Sequence, residues 1–183
     1  MLHPRWMVII ILGMVINLGL TKDNASDQKI LVGWLEKIYL PHYDFSLRGK
    51  MDTGAKNSSL HAVDIKYIQE KGKPKGSRIR FKVVGTEGEY RIIEADIVGE
   101  ARIKKSKTVS ENRLTIDLET RPVVELEVCL AGITKRIQVN LTNRAGMNYR
   151  MLLGRSALAG DFIVDVSRKF IYGSGTACRN QAK

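Results

Sequence analysis

Short runs in which apolar and polar residues alternate dominate the chain after residue 30. Between residues 78 and 83, the sequence Arg-Ile-Arg-Phe-Lys-Val alternates basic and apolar side chains, which is the two-residue period of a half-buried strand. A turn signal, Gly85-Thr86-Glu87-Gly88, separates this run from a second one at 90–98. The two segments therefore predict a β-hairpin.

The same reasoning assigns strands to most of the remaining chain. Single strands are predicted at 30–40, 47–51 and 59–65. Two more hairpins are predicted, 123–130 with 133–141 and 162–166 with 169–172. Only 155–159 is predicted to be helical, and the charge-rich segment 103–115 is predicted to be a mobile loop. The expected fold class is all-β, a barrel-like domain with one short helix.

The two ends of the chain differ in composition from this domain. An apolar run from Met7 to Leu20 follows Arg5; it is short for a membrane span and typical of an export signal. We therefore expect a signal peptide or signal anchor at 1–20, and an exported protein that is periplasmic or, if the leader is not cleaved, membrane-anchored. The other expected divisions are a polar linker at 21–29, the domain at 30–173 and a flexible tail at 174–183.

The chain is strongly basic, with a formal net charge of +11. Basic residues concentrate at 71–82 and 102–107, and aromatic residues do not interleave with them apart from Phe81. Because single-stranded nucleic acids stack on aromatic side chains, we expect no nucleic-acid partner. Two interpretations stay open: these runs are solvated loop and strand faces, or they attract acidic peptides or an anionic envelope surface.

The chain has two cysteines, Cys129 and Cys178. In an exported protein an even number of cysteines permits one disulfide. The apolar residues of 124–130 alternate, so Cys129 points to the face opposite to them, which a tail carrying Cys178 could reach. A disulfide and two free thiols are both compatible with the sequence.

One motif carries candidate catalytic chemistry: Asp52-Thr53-Gly54-Ala55, directly after the apolar strand at 47–51. We expect Gly54 to adopt a positive φ and to keep the space before the carboxylate free, and the Thr53 hydroxyl to hold the loop. Acid–base work on a water needs two carboxyl groups that share one proton, and one chain supplies one such loop. An ordinary turn between strands is the alternative for this tripeptide alone.

A second motif, Met151-Leu152-Leu153-Gly154-Arg155, is an apolar strand that ends in glycine and opens the short helix. Together the two motifs resemble the retropepsin-like aspartic peptidases. The stretches 50–62 and 139–155 are most similar to a bacterial family labelled ATP-dependent zinc protease, and the similarity extends over about 30–172. The resemblance implies a retropepsin-like acid-protease barrel with Asp52 as the catalytic residue. It also implies a set of loop-supporting residues: Thr53, Gly54, Ala55, Leu152, Leu153, Gly154 and Arg155.

The activity implied by the resemblance is that of an aspartic endopeptidase. Asp52 from each subunit of a homodimer would share a proton, one carboxylate acting as base toward water and the other as acid toward the scissile carbonyl. The expected partners are a second copy of the chain and a peptide or protein substrate; an acidic substrate or an anionic envelope surface is expected only if the basic runs are more than solvated faces. No cofactor is implied. The alternative is a non-catalytic binding module of the cell envelope with the same fold.

The zinc-protease label finds no support in the residues themselves. The histidines are His3, His42 and His61, and no His-Glu-x-x-His motif occurs. No Gly-x-x-x-x-Gly-Lys-Ser/Thr loop is present for a nucleotide. The sequence therefore predicts no metal site.

Several residues depart from the family pattern. Lys56 stands where retroviral peptidases carry an acidic partner for the helix arginine, so a salt bridge to Arg155 must be replaced or absent. Asn143 and Arg150 stand where the bacterial family more often has Asp and Pro, which concerns the substrate site more than Asp52. Ala55 offers no hydroxyl to the carboxylate, which predicts a mildly acidic optimum.

Retropepsin-like enzymes cover their substrate with a hairpin flap. Two segments could serve as this flap here, the turn at 84–90 and the predicted loop at 103–115. The sequence favours neither.

Overall fold

The structure, a computed structural model, describes residues 28–69, 71–72, 74, 76–85, 87–110, 113–173 and 178. In 105–110 and 113–116 only the backbone is described. The predicted leader, most of the linker and the tail apart from Cys178 lie outside the described residues. Among the helices of the described part, none is both long and apolar enough to cross a membrane.

The described part is built almost entirely of strands, as predicted. In chain order its elements are β1 (Ile30–Leu40), a 3-10 turn (Pro41–Tyr43), β2 (Phe45–Met51), β3 (Ser58–His61), β4 (Val63–Ile68), β5 (Arg78–Val84), β6 (Tyr90–Ser110), β7 (Arg113–Leu130), β8 (Ile133–Thr142), β9 (Met151–Leu153), α1 (Arg155–Leu158) and β10 (Phe162–Lys169). The short helix begins at Arg155, directly after the Leu-Leu-Gly motif.

These strands form a closed barrel with a smaller extension. Neighbouring strands follow the order β10-β1-β2-β9-β3-β8-β7-β6-β5-β4, and Tyr39 of β1 also pairs with Cys129 of β7. This last pairing closes β1, β2, β9, β3, β8 and β7 into a ring, which leaves those strands without free edges. The all-β, retropepsin-like barrel with one short helix is thus confirmed.

Alternation along β2 decides which side chains face the core. Phe45, Leu47 and Met51 are buried inside the barrel, and Gly49 lies so close to Ile38 that a Cβ would be 2.6 Å from Cγ1. Because successive side chains of a strand point to opposite faces, Lys50 faces away from this core. Asp52, the first residue after β2, follows Lys50 by two positions and therefore lies on the same outer side of the barrel.

Two predicted elements are wrong. The segment 103–115 is not a loop: β6 and β7 pair as far as Ser110 and Arg113, with a register shift between Lys104 and Ser106, and form a long two-stranded arm. The sequence has few apolar residues there, and backbone hydrogen bonds between β6 and β7 hold the two strands together instead. The final hairpin is also absent, because 162–169 forms one strand that pairs in parallel with the first half of β1, and a turn follows it.

The two cysteines are joined by a disulfide, with 5.8 Å between their Cα atoms. Cys129 and Cys178 are buried together with Tyr39 in a small cluster outside the main core. The bond therefore fixes one residue of the C-terminal tail to the barrel where β1 meets β7.

The basic residues of β5 are largely neutralised across the sheet. Arg80 Nε donates to Glu94 at 2.7 Å, and the Lys82 ammonium lies 3.0 Å from Asp64. Arg78 contacts both Glu94 and Asp96. For β5 the structure therefore favours the interpretation of a solvated, ion-paired strand face.

Candidate active site

Asp52 lies on a loop that remains tied to the barrel after β2 ends. Its backbone N–H donates to the carbonyl of Leu153 at 2.8 Å, which continues the pairing of β2 with β9. The N–H of Ala55 donates to the carbonyl of Asp52 at 3.2 Å and closes the turn. The catalytic candidate is therefore positioned by two strands and its own turn.

Three donors surround the Asp52 carboxylate. The N–H groups of Gly54 and Ala55 lie 3.1 and 3.3 Å from Oδ1, and the Lys50 ammonium lies 3.2 Å from Oδ2. Burial raises the pKa of this carboxyl group, but the hydrogen bond and charge of Lys50 and the two amides outweigh it, so the pKa is lowered. These three donors thus favour the ionised form of the carboxylate.

Lys50 was not among the residues predicted from the sequence. Its signal is the two-residue spacing from Asp52, which places both side chains on the same side of β2. The lysine partner also compensates for Ala55, whose side chain has no donor. The mildly acidic pH optimum expected from the sequence follows from the Ala55 side chain alone and leaves out the charge of Lys50.

Gly54 and Thr53 support the loop differently from the expectation. The φ of Gly54 is not positive, so that part of the prediction is wrong. The glycine is needed for space, since a Cβ there would lie 3.2 Å from Oδ1 of Asp52. Thr53 is exposed, and its hydroxyl has no hydrogen-bond partner in the described part of the chain. It contributes its backbone carbonyl instead.

Arg155 holds the loop from the start of α1. Its Nη1 donates to the carbonyls of Thr53 and Gly54 at 2.8 and 3.0 Å, and its backbone N–H donates to the carbonyl of Ala55 at 2.9 Å. The side chain of Lys56 is exposed. The salt bridge expected in retroviral peptidases is therefore replaced by hydrogen bonds to backbone carbonyls.

Gly154 allows the second motif to approach the first. A Cβ at this position would lie 2.6 Å from the Asn57 carbonyl oxygen and 2.7 Å from that of Lys56, distances that side chains do not tolerate. The N–H of Gly154 donates to Ser58 Oγ at 3.2 Å. Leu153 is buried behind the loop, and Leu152 pairs with Lys50. Leu153, Gly154 and Arg155 thus lie against the segment 52–57, and Leu152 pairs with the strand that leads into it.

A buried polar network that the sequence did not reveal continues from the loop into the neighbouring strands. Ser59 Oγ donates to Asn140 Oδ1 at 3.0 Å, and Asn140 Nδ2 donates to the carbonyl of Ser58 at 2.7 Å. Arg121 donates to Asn140 at 3.3 Å and to Glu119 at 2.8 Å. These partners satisfy most of the polar groups that would otherwise be costly to bury, while the buried Nε of Arg121 has no hydrogen-bond partner in the described part of the chain.

His61 serves the fold locally. It is buried, and its Nδ1 accepts a hydrogen bond from the backbone N–H of Arg144 at 2.8 Å. Burial and the charges of Arg150 and Arg144 lower its pKa. His42 lies apart on the surface, 3.6 Å from Glu127. Among the described residues, no group of three or more His, Cys, Asp or Glu side chains is arranged to hold a metal ion.

An all-β barrel that presents one aspartate on an Asp-Thr-Gly-Ala turn, braced by a Leu-Leu-Gly-Arg segment, defines a retropepsin-like protein. The sequence profile of the RimB-like family, described as retropepsin-like aspartic endopeptidase RimB, matches residues 31–174. The chain belongs to this family.

Curated relatives carry a different name. The chain is 32% identical over 152 residues to a probable alpha-L-glutamate ligase of Shewanella pealeana, covering 81% of this chain and 31% of the relative. A probable alpha-L-glutamate ligase of Parasynechococcus marenigrum is 30% identical over 142 residues, covering 75% of this chain and 28% of the relative. The chain thus spans less than a third of these relatives, and their names do not include the zinc-protease label.

A solved structure resembles most of the chain. A Legionella pneumophila protein of unknown function is 35% identical, with a TM-score of 0.62, and the match covers 79% of this chain and 98% of that one. The family description and the names of the curated relatives both denote enzymes.

Proposed function

We propose that this protein is an aspartic endopeptidase whose active form is a homodimer. The observation that carries the proposal is the Asp52 carboxylate, held by two backbone amides and Lys50 on a turn that Arg155 and Gly154 fix from behind. Rigid placement of a reacting group is what converts a weak acid or base into an effective catalyst.

The dimer follows from the chemistry. Peptide hydrolysis needs one carboxylate to take a proton from water and one carboxylic acid to protonate the scissile carbonyl. In the described part of the chain, no second carboxyl group contacts Asp52. Thr53 and Gly54 are exposed beside it, which leaves the loop open to the same loop of a second copy across a two-fold axis.

In the proposed reaction the water oxygen attacks the carbonyl carbon while one Asp52 accepts its proton. The other Asp52 donates its proton to the carbonyl oxygen, giving a tetrahedral diol. As the C–N bond of this diol breaks, the Asp52 that accepted the water proton passes it to the leaving amine, and the other Asp52 takes a proton from a hydroxyl of the diol, so the pair again shares one proton. Lys50 adjusts the acidity of the pair because its charge favours the ionised carboxylate.

We further propose that the substrate is an acidic, glutamate-containing peptide chain. The net charge of +11 favours encounter with anionic chains. The matched region recurs within proteins named as glutamate ligases, which associates this domain with glutamate chemistry. A ligase forms the bond that an endopeptidase of the same system would hydrolyse.

The test combines sedimentation with cleavage assays on glutamate-containing peptides, using the wild type and Asp52→Asn. We expect a dimer that cleaves peptides, and a folded Asp52→Asn variant without activity, because Asn keeps the shape of Asp and loses the titrating group. Cleavage by a strictly monomeric protein, or by the Asn variant, would refute the paired mechanism. A dimer inert toward every peptide would favour the binding module of the cell envelope.

Export to the periplasm, or to the membrane if the leader is retained, is also a proposal. The disulfide between Cys129 and Cys178 supports it, since such bonds persist in oxidising compartments. Fusion of residues 1–29 to a reporter that is active only outside the cytoplasm tests it. A reporter that stays inactive while the fusion is produced would contradict export.

A further inference from the structure

The barrel closes at a joint that consists of one residue pair. β7 pairs with β8 from Val123 to Leu130, whereas β7 and β1 pair, in the described part of the chain, through Cys129 and Tyr39 alone. A single pair contributes at most two backbone hydrogen bonds. The joint between Tyr39 and Cys129 is therefore the point of the ring that depends most on other sources of stability.

The disulfide lies at this joint. Cys129 is one half of the strand pair, and its Sγ is bonded to Cys178. Tyr39, Cys129 and Cys178 pack on one another in a small buried cluster that is separate from the main core. The Tyr39 hydroxyl donates to Oδ1 of Asp44 at 2.9 Å, which fixes the ring in this cluster. Cys178 thus covers the joint, and its only hydrophobic cluster within the described residues is this small one.

The bond also cross-links the part of the chain that braces the candidate active site. It joins residues 49 positions apart, and the loop that it closes contains β8, β9, α1 and β10. Gly154 and Arg155, which hold the Asp52 loop, lie inside it. Because β10 pairs with the first half of β1 while Cys178 is fixed beside Tyr39 in its second half, the segment after β10 is attached to β1 at two places.

From this arrangement we infer that the disulfide between Cys129 and Cys178 is a redox-sensitive switch of barrel closure. With the bond formed, Cys178 seals the joint and the cross-linked loop keeps the braces of Asp52 in place. With the bond reduced, Cys178 is retained by the small cluster alone, so it leaves by a local opening that does not disrupt the main core. The inference rests on the proposed function only for its effect on cleavage.

The switch operates by thiol–disulfide exchange. A thiolate of a dithiol reductant attacks Sγ of Cys178 and forms a mixed disulfide, while Cys129 leaves as a thiolate and takes up a proton. The second thiol of the reductant then displaces Cys178 and closes the reductant's own disulfide, so two electrons and two protons pass to the protein. A disulfide-containing oxidant reverses the reaction. Full stability is thus reserved for an oxidising compartment, which the proposed export would supply.

A purely structural disulfide predicts something different. Such a bond would resist reduction until the whole domain unfolds, or its two thiols would stay packed and unreactive after reduction. The rate of alkylation of Cys178 in the native reduced protein separates the two roles, because only a detached residue reacts like an exposed thiol.

The experiment uses the full-length protein, purified with the disulfide formed. Dithiothreitol is added without denaturant, and alkylation by iodoacetamide followed by mass spectrometry measures the reactivity of each cysteine. Thermal melting and peptide cleavage are recorded before reduction, after it and after reoxidation with glutathione disulfide, with cleavage measured below every melting temperature. Cys178→Ser is the control, since it has no bond for dithiothreitol to break.

We expect reduction without denaturant to lower the melting temperature by about 10 °C, as estimated for opening a cross-linked loop of this length. Cys178 should then be alkylated at the rate of an exposed thiol. Cleavage should fall by about tenfold, because the Asp52 loop loses its rigid placement, and reoxidation should restore both values. Cys178→Ser should melt like the reduced protein, with or without dithiothreitol. If this variant does not fold, recovery on reoxidation serves as the control instead.

A bond that is reduced only when the domain melts would overturn the inference. So would a reduced protein that keeps the melting temperature of the oxidised form and an unreactive Cys178. Either result leaves the endopeptidase proposal intact if the oxidised protein cleaves peptides. Conversely, reversible changes in melting and alkylation in a protein that cleaves nothing in either form would uphold the switch and refute the hydrolysis.

Discussion

The ammonium of Lys50 lies 3.2 Å from Oδ2 of Asp52, on the same side of the chain as it leaves β2. The contact places a fixed positive charge beside the residue on which the proposed hydrolysis depends. Together with the amides of Gly54 and Ala55 it lowers the pKa of the carboxyl group against the opposing effect of burial. The optimum should therefore lie at lower pH than the side chain of Ala55 alone indicates.

Replacing Lys50 tests this relationship. In Lys50→Met both apparent pKa values of the Asp52 pair should rise, because the charge that favours ionisation is lost. The whole bell-shaped profile of kcat/KM against pH should then shift to higher pH. Lys37→Met, on the neighbouring strand β1 at an exposed position, is the control. An unshifted profile in a folded, active Lys50→Met protein would show that the contact does not tune the pair.

Gly154→Ala should destabilise the protein by about 2 kcal/mol, since an added Cβ would meet the carbonyl of Asn57 at 2.6 Å and overpacking of this kind has that cost. The loop that carries Asp52 must move to relieve the contact, so activity should fall further than stability. Gly99→Ala is the matched control, because a Cβ there meets nothing within 4 Å. Urea unfolding and kcat measure the two effects. Equal stabilities of the two variants would refute the steric argument.

Arg155→Met should loosen the catalytic turn. The variant loses the bonds from Nη1 to the carbonyls of Thr53 and Gly54, which are solvent-exposed and contribute about 1 kcal/mol. We expect kcat to fall by roughly tenfold with a smaller change in KM, since a misplaced carboxylate acts mainly on the chemical step. Steady-state kinetics measure kcat and KM of this variant and of the control Arg136→Met, which removes an exposed charge elsewhere. An equal loss in both variants would indicate a general effect of charge.

His61 should make stability depend on pH. Its folded pKa is lowered by burial and by Arg150 and Arg144, so below the unfolded value of about 6.5 the unfolded chain takes up a proton that the folded protein does not. The free energy of unfolding should fall as pH decreases from there, until the folded pKa is reached. His61→Asn should be less stable at pH 7 but should lose most of this slope. Urea titrations between pH 5 and 8 measure it.

The exposed His42 provides the control for this experiment. His42→Asn should retain the slope of the wild type. A slope that survives in His61→Asn would assign the pH dependence to another group.

Much of the architecture could be predicted from local patterns. Alternation predicted β5 and most of β8, because half-buried strands impose a two-residue period on the sequence, and apolar runs predicted β1 and β2. It failed at 103–115 and 162–172. The arm of β6 and β7 is held by backbone pairing that leaves no apolar period, and β10 pairs with the distant strand β1, a partner that local sequence does not specify.

For the candidate site, the sequence by itself determined the two motifs, and therefore Asp52 and the glycine and arginine that brace it. Each motif is a run of four or five neighbouring residues, so it can be recognised in the sequence without knowledge of the fold. Only the tertiary structure decided how they are used: Arg155 bonds to carbonyls, Gly54 supplies space, and the network around Asn140 extends to Arg121. Gly54 and Arg155 are separated by 101 positions in the chain, and their contact results from the pairing of β2 with β9.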